Sequence, residues 1–170
     1  MSRLISFQIP ADYVMARVVP TGPEIACGVT QRWLSPGDAV AIAVEKLERG
    51  SLLTPPEEGL SLLLADDLDE VPALVSELEV GDEPMELRER LWLFLALEWL
   101  ADHRGDFDDP YEIIEMLYAD FGHPAEIAGL VRWMPVADGE PTGLAAIDER
   151  WKGYLDSTRE EYAGRREDAC

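Results

Sequence analysis

Four residues near the middle of the chain, Asp106-Phe107-Asp108-Asp109, are the first candidates for chemistry, because carboxylates can bind a hard cation. A calcium loop needs oxygen ligands at its first, third and fifth positions, glycine at the sixth and glutamate at the twelfth. Counting from Asp106, Pro110, Tyr111 and Leu117 occupy the fifth, sixth and twelfth positions, so the loop fails this test. A divalent site completed by a distant carboxylate remains open. The simpler interpretation is a turn in which Asp109 caps a following helix.

The other groups with catalytic potential lack partners at useful spacing. His103 and His123 are not four residues apart, the spacing that places two metal ligands on one helix face. We therefore expect both to be structural. Cys27 has no base or signature beside it and is expected to be a small buried side chain. The sequence has no glycine-rich phosphate loop, so we predict no catalytic residues, no metal and no cofactor.

Charge is the strongest remaining signal. The chain carries 35 Asp and Glu against 14 Lys and Arg, a net charge of −21. Residues 66–126 alone hold nineteen acidic and three basic side chains. This balance disfavours nucleic acid and anionic membranes and favours a basic protein partner. We predict that the partner binds the acidic stretch at the end of the most apolar helix, formed by Asp102, Asp106, Asp108, Asp109, Glu112 and Glu115.

The elements that position these residues are predicted from a repeated signal for helix starts. Ser35-Pro36-Gly37-Asp38 places a capping hydroxyl, a proline in the first turn and an acid at the third position, and similar patterns begin at Thr21, Thr54, Asp109 and His123. No clear strand alternation competes, apart from a short extended piece near residues 3–9; whether residues 1–20 are helical or extended stays open. The predicted helices span residues 11–17, 24–32, 38–49, 57–65, 70–79, 87–103, 109–121, 125–133 and 144 to about 163.

The fold predicted from these segments is all-α, a single-domain helical bundle over residues 1–170 with a frayed tail from residue 164. The segment around residues 87–103 is apolar on nearly every face, which is typical of a central buried helix. Its apolar run is about half the length that spans a bilayer. Neither a signal segment nor a cysteine framework is present, so we expect a cytoplasmic protein. The oligomeric state is not predicted.

Several stretches resemble a bacterial family of uncharacterised proteins, domain-of-unknown-function family twenty-two forty-seven. The resemblance covers about residues 7–155 and is carried by Trp33-Leu34-Ser35-Pro36, Asp106-Phe107-Asp108-Asp109-Pro110, Tyr118-Ala119-Asp120-Phe121, Val131-Arg132-Trp133-Met134-Pro135 and Trp151. It implies a small helical bacterial protein and no known catalytic residue. By analogy, such chains resemble immunity proteins of secreted toxins, which are small, acidic and without an active site.

The predicted function is therefore that of an acidic binding protein which neutralises a cognate bacterial toxin, and not that of an enzyme. Two alternatives remain: an adaptor subunit of another complex, and an enzyme that depends on a carboxylate or metal site.

Overall fold

A computed structural model of the protein describes residues 4–79 and 81–168. Helices dominate the described residues, which contain no strand, so the predicted all-α class is confirmed. The α-helices are α1 (Ala11–Met15), α2 (Gly22–Thr30), α3 (Pro36–Glu48), α4 (Pro55–Ser61), α5 (Val71–Leu78), α6 (Met85–Asp102), α7 (Pro110–Asp120) and α8 (Leu144–Asp168). Three short 3-10 helices span Ala65–Glu70, Arg104–Asp106 and Ala125–Leu130.

The helix starts form where the capping signals predict them. Thr21 and Glu24 make a reciprocal capping box at the start of α2. The Ser35 hydroxyl accepts the Asp38 amide at 3.1 Å and so caps α3. These bonds join residues three apart, so they satisfy free helix amides without help from distant parts of the chain.

The chain forms two compact units, which we call the N-terminal unit (residues 7–92 and 161–170) and the C-terminal unit (residues 1–6 and 93–160). The boundary falls inside α6, between Trp92 and Leu93, and again inside α8. The predicted single domain stays a prediction, because a division into compact units does not establish whether each unit folds alone.

In the N-terminal unit, α3 packs against α1 and α4, and α5 packs against α2 and α4. Trp92 lies in this core, and its indole Nε1 donates to the carbonyl of Glu24 at 2.8 Å. A charged pair is buried there as well: the Lys46 ammonium contacts the Glu57 carboxylate, and both side chains are almost fully buried.

In the C-terminal unit, the second half of α6 supplies the centre of the core. Leu93, Phe94, Leu95, Ala96, Leu97 and Leu100 are all buried. Side chains of α7 and α8 complete this core, among them Ile114, Leu117, Trp151 and Leu155. The buried helix predicted around residues 87–103 is therefore confirmed as α6, although α6 begins two residues earlier, at Met85.

Several predicted boundaries were wrong. The segment predicted as helix over 125–133 is a 3-10 helix that ends at Leu130. The helix predicted over 57–65 ends at Ser61, as α4, and a separate 3-10 helix spans Ala65–Glu70. The helix predicted over 70–79 is confirmed as α5, Val71–Leu78. The last helix continues past residue 163 to Asp168, and the Arg165 guanidinium in its last turns donates to the Glu24 carboxylate and to the Val19 carbonyl. The frayed tail from residue 164 stays a prediction. Residues 169–170 of the predicted tail lie outside the described residues.

The described residues that precede α1, from Leu4 to Pro10, are neither helix nor strand. Residues 5–10 are irregular, and α1 begins only at Ala11. The Asp120 carboxylate, at the end of α7, accepts the amides of Leu4 and Ile5 at 2.9–3.1 Å. The extended piece predicted near residues 3–9 is therefore not a strand from residue 4 onwards, and residue 3 lies outside the described residues.

Candidate partner-binding surface

The predicted acidic surface lies where α6 ends and α7 begins, within the C-terminal unit. The chain leaves α6 at Asp102, turns through the 3-10 helix Arg104–Asp106 and enters α7 at Pro110. His103 stabilises the turn, since its ring stacks on Trp99 with centroids 3.9 Å apart and its Nδ1 lies 2.8 Å from the Trp99 carbonyl oxygen. A buried helix and an ordered turn therefore hold the acidic residues in place.

The six predicted residues fall into two sets. Asp102, Asp106, Asp108 and Glu112 are exposed, whereas Asp109 and Glu115 are partly covered. The Asp102 carboxylate also interacts electrostatically with the Arg159 guanidinium. Asp106, Asp108 and Glu112 make no ion pair with any described residue, so their charges face solvent.

Asp109 and Glu115 instead bind Arg132, which the sequence did not identify as part of this surface. The Arg132 Nη1 atom donates to Asp109 Oδ2 at 2.9 Å, while Nε and Nη2 donate to the two Glu115 oxygens at 2.8 and 3.2 Å. This bidentate geometry is the strong form of an arginine–carboxylate contact. We call this group, Asp109, Glu115 and Arg132, the Arg132 clasp.

Asp109 has a second role that the sequence did predict. Its Oδ1 atom accepts the amides of Tyr111 at 3.0 Å and Glu112 at 3.3 Å, which caps α7. Partial desolvation would raise the pKa of the Asp109 carboxyl, but the hydrogen bonds from Arg132 and the two amides outweigh it and lower that pKa. Asp109 is therefore held as an anion by its own structural contacts.

A second arginine is neutralised beside the surface. The Arg104 guanidinium contacts Asp148 on α8 at 2.5 Å and lies 4.4 Å from the Trp151 ring centroid. The Tyr111 hydroxyl donates to the same Asp148 oxygen at 2.8 Å. Partial burial would raise the pKa of Asp148, but these two bonds outweigh it and lower that pKa. Arg104, the one lysine or arginine within residues 102–115, is thus already paired, which leaves the exposed part of the surface negative.

An exposed aromatic side chain adjoins the Arg132 clasp. Trp133 is 62% exposed, unusually so for a residue of this size, and its ring meets the Tyr118 ring edge-on at 5.9 Å. Tyr118 is buried and contacts the His123 ring in the same way at 4.9 Å. The indole is therefore supported on one side and open on the other. Nothing in the order of residues around Trp133 indicates that it is the tryptophan that faces solvent.

Removing the clasp should change the titration of Asp109. In Arg132→Ala we expect the pKa of Asp109 to rise towards its ordinary value, because the strongest contact that favours the carboxylate is removed while the α7 cap remains. The measurement is a side-chain carboxyl titration followed by nuclear magnetic resonance. Lys152→Ala is the matched control, because it removes one surface cation that pairs with Asp156 instead. An unchanged Asp109 titration in Arg132→Ala would contradict the clasp.

Metal and thiol chemistry can be assessed on the described residues. No group of three His, Cys, Asp or Glu side chains among them is arranged to hold a metal ion. Burial raises the pKa of the Cys27 thiol to about 12, with a further contribution from the Glu89 carboxylate, so the reactive thiolate is disfavoured. Among the described helices, none has the length and apolar character needed to cross a membrane.

Comparison with known proteins gives one match. No curated protein and no solved structure matches the chain. A family model described as an uncharacterized protein conserved in bacteria (DUF2247) matches residues 11–159, which include the whole candidate surface. The chain therefore belongs to this family of uncharacterized bacterial proteins, as the motifs in its sequence predict.

Proposed function

We propose that the protein is a non-catalytic binding protein that neutralises a cognate bacterial toxin in the cytoplasm by covering a basic surface of that toxin. The observation that carries the proposal is the group of exposed carboxylates Asp106, Asp108 and Glu112, together with a tryptophan that is 62% exposed and directly follows Arg132 of the clasp in the chain. The combination supplies both steps of a protein–protein encounter, attraction at a distance and apolar burial on contact.

The first step is electrostatic. A net charge of −21 attracts a basic partner over roughly the Debye length, about 8–10 Å at ordinary salt. Such attraction raises association rates and depends steeply on ionic strength. The same charge repels nucleic acid and anionic lipid, which makes a protein the fitting partner.

The second step is burial of an anchor. Tryptophan is among the residues that contribute most to binding energy when they enter a pocket on a partner. Trp133 follows Arg132 directly, and the clasp fixes that backbone next to α7. An indole that is already held in place gives up little conformational entropy on binding, which strengthens the contact.

Identification of the partner is the first test. The tagged full-length chain, expressed in the source bacterium and cross-linked before purification, should retain a basic protein or domain at equal stoichiometry. That partner should inhibit growth when produced alone and lose this effect when the chain is co-produced. Co-purification with a non-toxic subunit would favour the adaptor alternative instead.

The second test is kinetic. In Asp106→Lys/Asp108→Lys we expect association with the identified partner to slow roughly tenfold at low salt and to depend less on ionic strength, since these charges steer the encounter. Stopped-flow rates at about 20 and 150 mM salt measure both effects.

The matched control is Asp138→Lys/Glu149→Lys, which makes the same change of net charge at two exposed positions of the same unit. If both double variants associate at one rate while remaining folded, only the net charge matters and the proposed surface is wrong.

A further inference from the structure

A second surface of different character lies in the N-terminal unit, where α4 ends and the chain passes through a 3-10 helix. We call residues 62–70 the leucine–acid segment. Leu62 is 77% exposed and Leu64 is 70% exposed, while Leu63 between them is half-buried. Asp66, Asp69 and Glu70 are exposed directly after these leucines. Two large apolar side chains and three carboxylates therefore share one short stretch of surface.

This stretch is ordered by contacts on both sides. Leu60 before it and Val71 after it are fully buried in the core of the unit. Asp67 closes the turn twice, since its amide donates to the Leu64 carbonyl at 2.9 Å and its carboxylate accepts the Leu64 amide at 3.3 Å. A partner that covers these two ordered, exposed leucines lowers the free energy of the system, because it removes apolar surface from water.

The charge around the segment selects the partner. Residues 50–87 contain eleven acidic side chains and no lysine, arginine or histidine. A second copy of the chain would bring the same acids together, and an anionic membrane or a nucleic acid would repel them. A partner that covers the leucines must therefore carry positive charge beside its own apolar surface.

We propose that the leucine–acid segment docks a basic amphipathic helix of another protein. Such a helix presents apolar side chains at every third or fourth position to Leu62 and Leu64, and its lysines or arginines flank that stripe and meet Asp66, Asp69 and Glu70. This site shares no residue with the surface proposed for toxin binding and lies in the other unit, so either proposal can fail without the other.

The test uses a dye-labelled helical peptide of about 18 residues built only from leucine and lysine, with the leucines in one stripe. A peptide of the same composition with the leucines dispersed has equal charge and no apolar face. Fluorescence anisotropy with the full chain should show at least tenfold tighter binding of the striped peptide. Equal binding of the two peptides, or no binding of the striped one, would overturn the proposal.

Variants then place the site. Leu62→Ser/Leu64→Ser should weaken striped-peptide binding about tenfold or more, whereas Leu4→Ser/Leu144→Ser, which changes two exposed leucines of the other unit, should bind as the wild type does. Asp66→Lys/Asp69→Lys should also weaken binding of the striped peptide and reduce the salt dependence of that binding. Asp138→Lys/Glu149→Lys makes the same change of net charge in the other unit, and both of its effects should be smaller. Circular dichroism confirms that each variant is folded.

Two further outcomes would assign the leucines to another occupant. Self-association of the wild type in analytical ultracentrifugation that is abolished in Leu62→Ser/Leu64→Ser would show that a second copy covers them. Binding to vesicles of anionic phospholipid that depends on the same leucines would assign them to a membrane. Either result overturns the proposed helix partner, while monomeric protein that ignores the vesicles supports it.

Discussion

Replacing Gly28 with alanine should destabilise the protein by about 3 kcal/mol, at the upper end of the usual cost of an overpacked core. Gly28 lies in α2 against the buried indole of Trp92. A methyl group at this position would overlap the ring, because two of its carbons, Cε2 and Cη2, lie only 2.6 and 2.8 Å from the site of that methyl and Cζ2 lies closer still.

The indole has little room to move away. Trp92 is fully buried, and its Nε1 is committed to the Glu24 carbonyl in the same helix, α2. Relief of the overlap must either break that hydrogen bond or shift α2 as a whole. The first route leaves buried polar groups unpaired, and the second opens gaps in the apolar packing around α2. The small gain in helix propensity from alanine compensates for neither.

Gly153 provides the matched control. It also lies inside a helix, α8, but it is exposed and nothing lies within 4 Å of an added methyl group. Gly153→Ala should therefore stabilise the protein by about 0.5–1 kcal/mol through helix propensity alone. Urea unfolding of both variants measures the two changes, and a Gly28→Ala variant as stable as the wild type would contradict the packing described here.

Helix starts were predictable because their determinants are local. A capping hydroxyl, a first-turn proline and an acid three residues later act within one turn, so Ser35 and Asp38 reveal α3 without knowledge of the fold. The end of α8 was not predictable in this way. The Arg165 contacts that accompany its last turns reach Glu24 and Val19, more than a hundred residues earlier in the chain.

The candidate surface shows the same division between local and distant causes. Asp109 was expected to be a helix cap, and it is one, because the amides that it accepts are two and three residues away. Glu115 was expected to face a partner, yet it binds Arg132, seventeen residues later. Charge counts along a sequence show how much acid a region carries but not which acids the folded chain neutralises.

Breaking the buried pair of Lys46 and Glu57 should cost about 3–5 kcal/mol, because removal of one partner leaves the other charge buried without compensation. Both side chains are at most 7% exposed. The Lys46 ammonium also donates to the Pro20 carbonyl at 2.9 Å, and the Glu57 carboxylate accepts the Thr54 amide at 2.9 Å at the start of α4. The hydrogen bonds of Lys46 and Glu57 thus connect α3, α4 and the segment before α2.

Lys46→Met is the direct test, because methionine keeps much of the side-chain volume and removes the charge. Lys46→Met/Glu57→Gln should be less destabilised than the two single variants predict by addition, since neither charge is then left alone. The exposed pair Lys152 and Asp156 provides the control, and Lys152→Met should change the free energy of unfolding by less than about 1 kcal/mol. Additive single changes at Lys46 and Glu57 would show that the two side chains do not stabilise each other.

Acid should weaken the buried pair and reveal its contribution. Burial would raise the pKa of the Glu57 carboxyl, but hydrogen bonds from Lys46 and Thr54 outweigh it, so the pKa in the folded protein is lower than in the unfolded chain. The stability that this shift provides is fully present above the unfolded pKa of about 4.3 and is lost as the pH falls through the folded pKa. The difference in unfolding free energy between wild type and Glu57→Gln should therefore be constant near neutral pH and shrink below about pH 4.3. Urea unfolding from pH 7 to pH 3 measures this difference, and a gap that widens on acidification would show that the pKa of Glu57 is raised in the folded protein.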